Sequence, residues 1–352
     1  MTIILFIILL SVIITIHEAG HLIAAKIFGV YCYEFSFGMG PLLWQKKTEE
    51  TKYSLRALPI GGYVSMAGEA DGDAVYPDVT VPEGRRLTDQ KTWKKVIIML
   101  AGVMMNFLLA WLILSLVILG TGVFRSSPPA VVNEVVAGSP AEAAGFMSGD
   151  RIVKITKEDG SSVKPKTYLD MQAFSSGYDG TETYVIQRGD EEFEVSVRPE
   201  WNEESQSYLI GIIGPDAEIH EVNLLNCWYY GFAEMGIITG MMLTIIMGLF
   251  RGSGLDQLSG PVGIYQATET YAKLGFSSYM LLVGQLSLNV GIFNLLPLPV
   301  LDGGQIVLAL CEGAVGKPLN STVKTVIMAA CWVLLISIML FATWNDIARL
   351  LR

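Results

Sequence analysis

The chain has 352 residues, of which 51% are hydrophobic and only 16% are charged. Soluble proteins carry roughly 25% charged residues, so this composition excludes an ordinary soluble enzyme and an intrinsically disordered chain. The net charge of −10 is uneven, because segment 125–224 holds 8 basic and 18 acidic residues while the rest of the chain holds 16 of each sign. The sequence therefore predicts an acidic insert within a neutral, apolar framework, and no basic surface remains for binding nucleic acid.

Four apolar segments are long enough to cross a bilayer, which takes about 20 residues. They predict transmembrane helices at 2–28, 96–120, 276–301 and 325–343. The first segment has no basic start and no small-residue cleavage site, so it is a membrane span rather than a signal peptide.

Segment 222–250 is also apolar, with Glu234 as its one charge. Lys and Arg in short loops mark the cytoplasmic side of a membrane, and loop 29–95 carries nine of them. This loop is therefore expected in the cytoplasm, and the acidic segment 125–224 outside it. A further crossing at 222–250 would turn the carboxyl end of the third predicted helix outward. We therefore expect 222–250 to lie along the outer interface or to enter as a re-entrant helix.

The acidic insert has the sequence pattern of a small folded domain. Its β-like runs are 130–136, 151–155, 183–188 and 193–198. A short helix is expected after Pro140, and a second one at 167–174. Strands around two short helices predict a small, partly open β-barrel.

The motif that carries chemistry is His17-Glu18-Ala19-Gly20-His21. Residues i and i+4 share one face of a helix, so both imidazoles can reach one Zn²⁺. Glu18 lies beside them, where it can take a proton from water at the metal. The alternative is a pair of interfacial histidines with a glutamate that reaches the headgroups. Ionisable residues inside a membrane are costly and usually functional, which favours the metal site.

Asp302 is the candidate for the third zinc ligand, because few other carboxylates lie in the apolar segments. Pro297 and Pro299 precede it and break a helix, and two glycines follow it. Irregular backbone at membrane depth occurs where it is buried in protein or lines a wet cavity. The alternative role for Asp302 is a helix cap at the interface. The charge-derived topology places Asp302 at the same depth as the two histidines.

These motifs resemble the site-2 protease family of intramembrane metalloproteases, and are most similar to its bacterial regulator of sigma-E protease branch. The resemblance covers essentially the whole chain. It rests on the H-E-x-x-H motif, on the N-x-x-P-x-P-x-L-D-G motif of 294–303, and on segments 35–38, 101–106 and 259–264.

The resemblance gives each part of the chain an expected role within a polytopic α-helical membrane protein of four transmembrane helices. Residues 1–124 would hold the first two helices, the H-E-x-x-H motif and a membrane-associated β-region. Residues 125–215 would form one PDZ-like domain, 216–275 interfacial or re-entrant amphipathic helices, and 276–352 the last two helices.

The resemblance also implies an activity, namely zinc-dependent hydrolysis of a peptide bond in or near the transmembrane segment of a single-span substrate. His17, His21 and Asp302 would hold Zn²⁺, and Glu18 would be the general base. Substrates would be proteins already cut by another protease, such as an anti-sigma factor or a signal-peptide remnant. The enzyme would lie in the bacterial cytoplasmic membrane with its PDZ-like domain outside.

The resemblance assigns substrate binding to Asn294, Pro297, Pro299, Gly61 and Gly62. Asn294 has an alternative role as a polar contact that closes the proline break. Segment 53–66 resembles a membrane-associated strand that pairs with extended substrate, and its alternative is a plain cytoplasmic hairpin. The PDZ-like domain could filter substrates by size or bind a carboxyl terminus. For the whole chain, the alternative is a catalytically silent membrane adaptor, which the intact motif disfavours.

Overall fold

The computed structural model describes residues 1–69, 75–203, 205, 207–250, 259–317 and 319–350. The chain forms two compact units, Met1–Gly120 with Leu224–Arg352, and Thr121–Asn223. The first unit is mainly helical and the second is mainly β-structure. The predicted insert 125–215 lies inside the second unit.

Most helices of the described chain belong to the first unit, and two short ones belong to the second. In chain order they are α1 (Thr2–Ile27), α2 (Thr92–Thr121), α3 (Pro140–Ala143), α4 (Tyr168–Ser175), α5 (Cys227–Phe250), α6 (Pro261–Lys273), α7 (Phe276–Asn294), α8 (Asp302–Val315) and α9 (Ser321–Leu350). A short 3₁₀ helix, Leu87–Asp89, precedes α2. The apolar segments predicted at 2–28, 96–120 and 325–343 correspond to α1, α2 and α9.

The third predicted span, 276–301, is wrong in its last part. Helix α7 ends at Asn294, and residues 295–301 form a turn before α8 begins at Asp302. The physical reason is that Pro297 and Pro299 have no amide hydrogen to continue the helical ladder. Helix α8 was not anticipated from the sequence.

Five described helices are long and apolar enough to cross a membrane: α1, α2, α5, α7 and α9. Helix α5 is the additional one, and it is one continuous helix of 24 residues. The indole of Trp111 on α2 donates to the Trp228 carbonyl of α5 over 2.9 Å. Length and composition allow a fifth crossing, so the interfacial or re-entrant placement of 222–250 stays a prediction.

Between α1 and α2 lies a long antiparallel hairpin of β1 (Cys32–Lys47) and β2 (Lys52–Met66). It is folded back on itself, because Phe35 pairs with Val64 on one side and with Tyr53 on the other. Gly38 allows the bend: its φ is +82°, and a side chain there would begin 2.6 Å from the Leu58 carbonyl oxygen. The last part of β2 is thereby placed beside α1.

The second unit contains the remaining strands. They are β3 (Val123–Arg125), β4 (Glu134–Val135), β5 (Arg151–Lys157), β6 (Ser162–Val163), β7 (Glu182–Arg188), β8 (Glu191–Val197), β9 (Glu200–Asn202), β10 (Ser207–Leu209), β11 (Ile212–Ile213) and β12 (Ile219–Glu221). Strands β6-β5-β7-β8 form one antiparallel sheet in that order, and the others pair as β3-β12, β4-β11 and β9-β10. The predicted run 130–136 is mostly irregular, since only its end forms a strand.

Local sequence signals explain the short elements of this unit. The Ser139 side chain accepts from the Glu142 amide at the start of α3, and Pro140 occupies the first helical turn. The fully buried carboxylate of Asp150 accepts hydrogen bonds from Nε and Nη2 of Arg188, over 2.6 and 2.7 Å. A bidentate pair of this kind fixes the loop before β5 to the end of β7.

A buried carboxylate joins α9 to α6 in the first unit. Asp346 is 2% exposed, and its Oδ2 accepts the amides of Gly260 and Gly263 over 2.8 and 2.7 Å. These amides belong to the start of α6, where no intrahelical acceptor exists for them. The contact therefore holds the amino end of α6 against the carboxyl-terminal helix.

Asp346→Leu is expected to destabilise the protein by about 1–3 kcal/mol, because it leaves two buried amides without acceptors. The expected observation is a lower thermal unfolding midpoint in detergent. Asp346→Asn keeps an oxygen acceptor and should retain most of the stability. Equal midpoints for Asp346→Leu and the wild type would contradict this role.

Candidate metal centre

Two helices bring three potential metal ligands together. Helix α1 carries His17 and His21 one turn apart, and Asp302 is the first residue of α8. The two Nε2 atoms are 3.2 Å apart, and they lie 3.1 and 3.4 Å from the Asp302 oxygens. Four ligands about 2.0–2.1 Å from a tetrahedral zinc lie roughly 3.3 Å from one another. The observed separations match that spacing.

Helix α2 supports the two imidazoles through residues spaced four apart. The Ile98 carbonyl lies 2.8 Å from His21 Nδ1, and the Asn106 amide nitrogen lies 3.4 Å from His17 Nδ1. Gly102 lies between them on the same face of the helix. When Nδ1 of His21 donates to the carbonyl, its Nε2 is left free to bind a metal.

Gly102 is the position that lets α2 approach the histidines. A side chain there would begin 2.4 Å from His21 Nε2 and 2.9 Å from His17 Cε1. Gly20 on α1 has the reciprocal role, since its missing side chain would begin 2.3 Å from the Ala101 carbonyl oxygen.

The turn before α8 delivers the third ligand. A side chain at Gly303 would begin 2.2 Å from the Leu295 carbonyl oxygen, and one at Gly304 would begin 2.1 Å from that of Leu298. The turn 295–301 therefore folds tightly over the start of α8. This packing sets Asp302 opposite α1, which the alternative of a plain interfacial cap would not require.

Glu18 lies in the same cavity as the three ligands, which has a volume of about 330 Å³. Its Oε2 accepts the amide of Val64 on β2 over 3.0 Å. The described residues that line the cavity are Ile14, His17, Glu18, His21, Val64, Met66, Glu69, Met99, Val290, Asn294, Val300, Leu301 and Asp302.

The predicted substrate residues are placed differently. Asn294 lines the cavity, and its Nδ2 lies 3.4 Å from His17 Nε2. Pro297 and Pro299 belong to the turn before α8, and Gly61 and Gly62 lie on β2 just before the lining residues. These four positions are outside the described cavity lining, and their roles stay predictions.

Two observations indicate that the donor atoms suit a metal ion. Asp302 Oδ2 is buried and accepts no hydrogen bond among the described residues; its neighbour at 3.1 Å is His17 Nε2, itself a potential metal ligand. Asn106 Oδ1 is also buried and accepts no hydrogen bond among the described residues. Turning this amide would bring its oxygen to His17 Nδ1, where it could accept the proton of a histidine bound through Nε2. Within the described chain, His17, His21 and Asp302 form the one cluster of this kind.

Several contacts at the site escaped the sequence reasoning. They include the Ile98 carbonyl, the Val64 amide and the carboxylate of Glu69. Backbone groups leave no trace in residue identity, so no motif could have revealed the first two. Glu69 lies close in sequence to the β-rich segment, but its approach to the cavity depends on how the hairpin folds.

Comparisons with known proteins agree with this chemistry. The family model described as Peptidase family M50 matches residues 5–338. A putative zinc metalloprotease of Agrobacterium fabrum is 33% identical, over 98% of this chain and 95% of its own. The regulator of sigma-W protease RasP of Bacillus subtilis is 29% identical, over 99% of each chain. A zinc metalloprotease RasP of Shouchella clausii is 29% identical over the same shares.

The site and these matches define a multi-pass membrane zinc metalloprotease. The chain belongs to peptidase family M50, the site-2 proteases, so the resemblance found in the sequence is confirmed.

Gly102→Ala is expected to abolish zinc binding, because the added methyl group collides with both imidazoles. Zinc content per purified protein, measured by elemental analysis, should fall below about a tenth of the wild-type value. A fall from a nearly full site to a tenth of it requires a penalty of about 2–3 kcal/mol, which is within the range of overpacking.

Gly120→Ala is the matched control, since it adds the same methyl group to the same helix. No neighbouring atom lies within 4 Å of that methyl position. It should bind zinc like the wild type. A zinc-replete Gly102→Ala protein would show that α2 does not confine the histidines.

Proposed function

We propose that the protein hydrolyses a peptide bond within or beside the transmembrane segment of single-span membrane proteins. The observation that carries the proposal is the meeting of three metal ligands and Glu18 in one cavity among apolar helices. Ionisable groups in such surroundings are expensive unless they serve a function.

Different residues of the chain would bind the metal and transfer the proton during hydrolysis. His17, His21 and Asp302 would hold the zinc, which supplies a Lewis acid that polarises the scissile carbonyl. Glu18 takes a proton from the attacking water and gives it to the leaving amine. Its bond to the Val64 amide uses one carboxylate oxygen and keeps the other available.

The end of β2 supports a mode of substrate binding. Val64 and Met66 lie in the cavity wall, and the Val64 amide points away from β1 because it reaches Glu18. Extended peptides add to exposed strand edges of this kind through main-chain hydrogen bonds. A cleavable segment must be extended, since a helix hides its carbonyls from attack. Asn294 would then hold substrate backbone from the opposite side of the cavity.

The apolar surface of the hairpin supports its membrane association. Leu43, Trp44 and Leu58 are 65, 56 and 55% exposed. A contiguous exposed apolar surface fits contact with lipid better than contact with water. We therefore infer that the β-region enters the bilayer of the bacterial cytoplasmic membrane.

Packing within the first unit supports four crossings. The Tyr279 hydroxyl at the start of α7 donates to the Leu5 carbonyl over 2.8 Å, so α7 starts at the same end as α1. Tyr265 of α6 meets Phe6 at that end too. Ile246, near the end of α5, belongs to a core cluster with Leu288 and Ile292. This arrangement favours a re-entrant α5 after which the chain returns to the side where α1 begins.

The acidic unit 121–223 is proposed to be the extracytoplasmic PDZ-like domain and to filter substrates by size. Substrates would then be proteins that another protease has already shortened, such as an anti-sigma factor or a signal-peptide remnant. The name of the Bacillus relative, regulator of sigma-W protease, favours the anti-sigma factor. A silent adaptor is disfavoured, because it has no use for Glu18 beside an intact ligand set.

Glu18→Gln is expected to retain zinc and lose roughly 100- to 10,000-fold in cleavage rate, because it removes the general base. The assay uses purified protein in detergent with a single-span fusion that the wild type cleaves. His17→Ala serves as the contrasting variant, since it should lose zinc as well as activity. Undiminished cleavage by Glu18→Gln would refute the mechanism.

Single cysteines in a variant without the four native cysteines test the topology. Leu274 is 71% exposed, just after α6, and should react as Leu274→Cys with an impermeant maleimide on intact cells. A cysteine at residue 160 should react likewise, whereas one at residue 80 should react only after the cells are opened. Labelling at 274 that requires opened cells would exclude four crossings.

A further inference from the structure

Helix α1 carries a polar stripe of which the hydrolytic mechanism uses only Glu18. Ser11, Thr15 and Glu18 are spaced i, i+4 and i+7, so they share one face of an otherwise apolar helix. Ser11 is 3% exposed and donates its hydroxyl to the Pro59 carbonyl. The Thr15 hydroxyl is buried, 3.9 Å from where a side chain at Gly62 would begin. Glu18 accepts the Val64 amide.

All three side chains meet the same edge of β2. Phe37 pairs with Gly62 and Phe35 with Val64, in a regular antiparallel register. Alternate residues of such a strand turn their amides and carbonyls away from the partner strand. Because the Val64 amide points to Glu18, the polar groups of Gly62 also point toward α1. Pro59, which has no amide to leave unpaired, suits an edge position.

This edge is divided between the helix and the cavity. At 59–62 it faces Ser11 and Thr15, whereas Val64 and Met66 line the cavity with the metal ligands. The Thr15 hydroxyl has no hydrogen-bond partner among the described residues, although it lies beside the outward groups of Gly62. A buried hydroxyl without a partner is costly, and a side chain at Gly62 would begin 3.9 Å from this one.

We propose that Ser11 and Thr15 are positioning residues that hold β2 at 59–62 against α1, which leaves Val64–Met66 as the part of the edge that a substrate can reach. A substrate would pair there through backbone groups other than the Val64 and Met66 amides, which donate to Glu18 and Glu69 over 3.0 and 3.1 Å. The inference rests on the proposed function, and it names the peptide backbone as what this edge recognises. Ser11 fixes the Pro59 carbonyl, and Thr15 offers its hydroxyl to Gly62 when the strand is loaded. Val64 then stays aligned with Glu18 while the substrate strand is added.

Two zinc-binding probes separate the edge from the metal. Acetohydroxamate needs only the zinc, whereas a peptidyl hydroxamate also needs an extended backbone partner. In Ser11→Ala and Thr15→Val, the dissociation constant of the peptidyl hydroxamate should rise roughly fivefold, as the loss of one hydrogen bond predicts. Acetohydroxamate affinity and zinc content should stay at wild-type values. Ser11→Thr and Thr15→Ser keep the hydroxyl and should restore binding.

Matched controls make the same changes elsewhere on apolar helices. Ser115→Ala removes another fully buried hydroxyl without a partner in the described chain, on α2, and Thr2→Val alters the start of α1. Neither should affect either hydroxamate. Equal weakening of both probes, loss of zinc in Ser11→Ala or Thr15→Val, or no rescue by the hydroxyl-bearing variants would overturn the proposal. Failure of the proposed function looks different, because the wild type itself would then not cleave the single-span fusion, whatever its affinity for the two hydroxamates.

Discussion

The metal centre depends on how closely α2 approaches α1. Gly20 and Gly102 leave room for backbone and imidazole where any larger residue would collide. The contact places the Ile98 carbonyl and the Asn106 amide on the far nitrogens of His21 and His17. Two histidines on one helical face become a preorganised pair only because a second helix fixes their rings. Close approach of small residues is a general way for helices to pack in membranes.

The third ligand depends on a different device. The prolines of 297–299 stop α7, and Gly303 and Gly304 let the turn fold over the start of α8. Asp302 is thereby held at the depth of His17, although 285 positions separate them in sequence. Irregular backbone at this depth is tolerated because it is packed in protein. The two devices together give a site whose donor spacing suits zinc.

The sequence was sufficient for the parts of the site that rest on local spacing. The i, i+4 histidines, the adjacent Glu18 and the proline break before Asp302 are all readable from residue types, and so are α1, α2 and α9. Features that depend on contacts between distant parts of the chain could not be predicted from the sequence. The third predicted helix ran seven residues too long, α8 was missed, and the doubled pairing of Phe35 in the hairpin has no local signal. The hydrogen bond from the Val64 amide to Glu18 could not be predicted either, because the backbone amide is the same whichever side chain a residue has.

In the proposed function, the hairpin would connect the site to its substrate. The second half of β2 contacts Ser11 of α1 at Pro59, passes Thr15 near Gly62, and ends in the cavity at Val64 and Met66. The same helix face therefore carries both the proposed general base and the hydroxyls proposed to position the strand. A protease that cleaves extended segments among apolar helices needs such a fixed edge, because lipid offers no other partner to an unpaired backbone.

Zinc K-edge X-ray absorption on the purified wild-type protein tests the central claim most directly. The account predicts a zinc with two imidazole nitrogens and oxygen ligands, all at about 2.0–2.2 Å. A sulfur ligand at about 2.3 Å, or scattering from fewer than two imidazoles, would contradict the assignment of His17, His21 and Asp302.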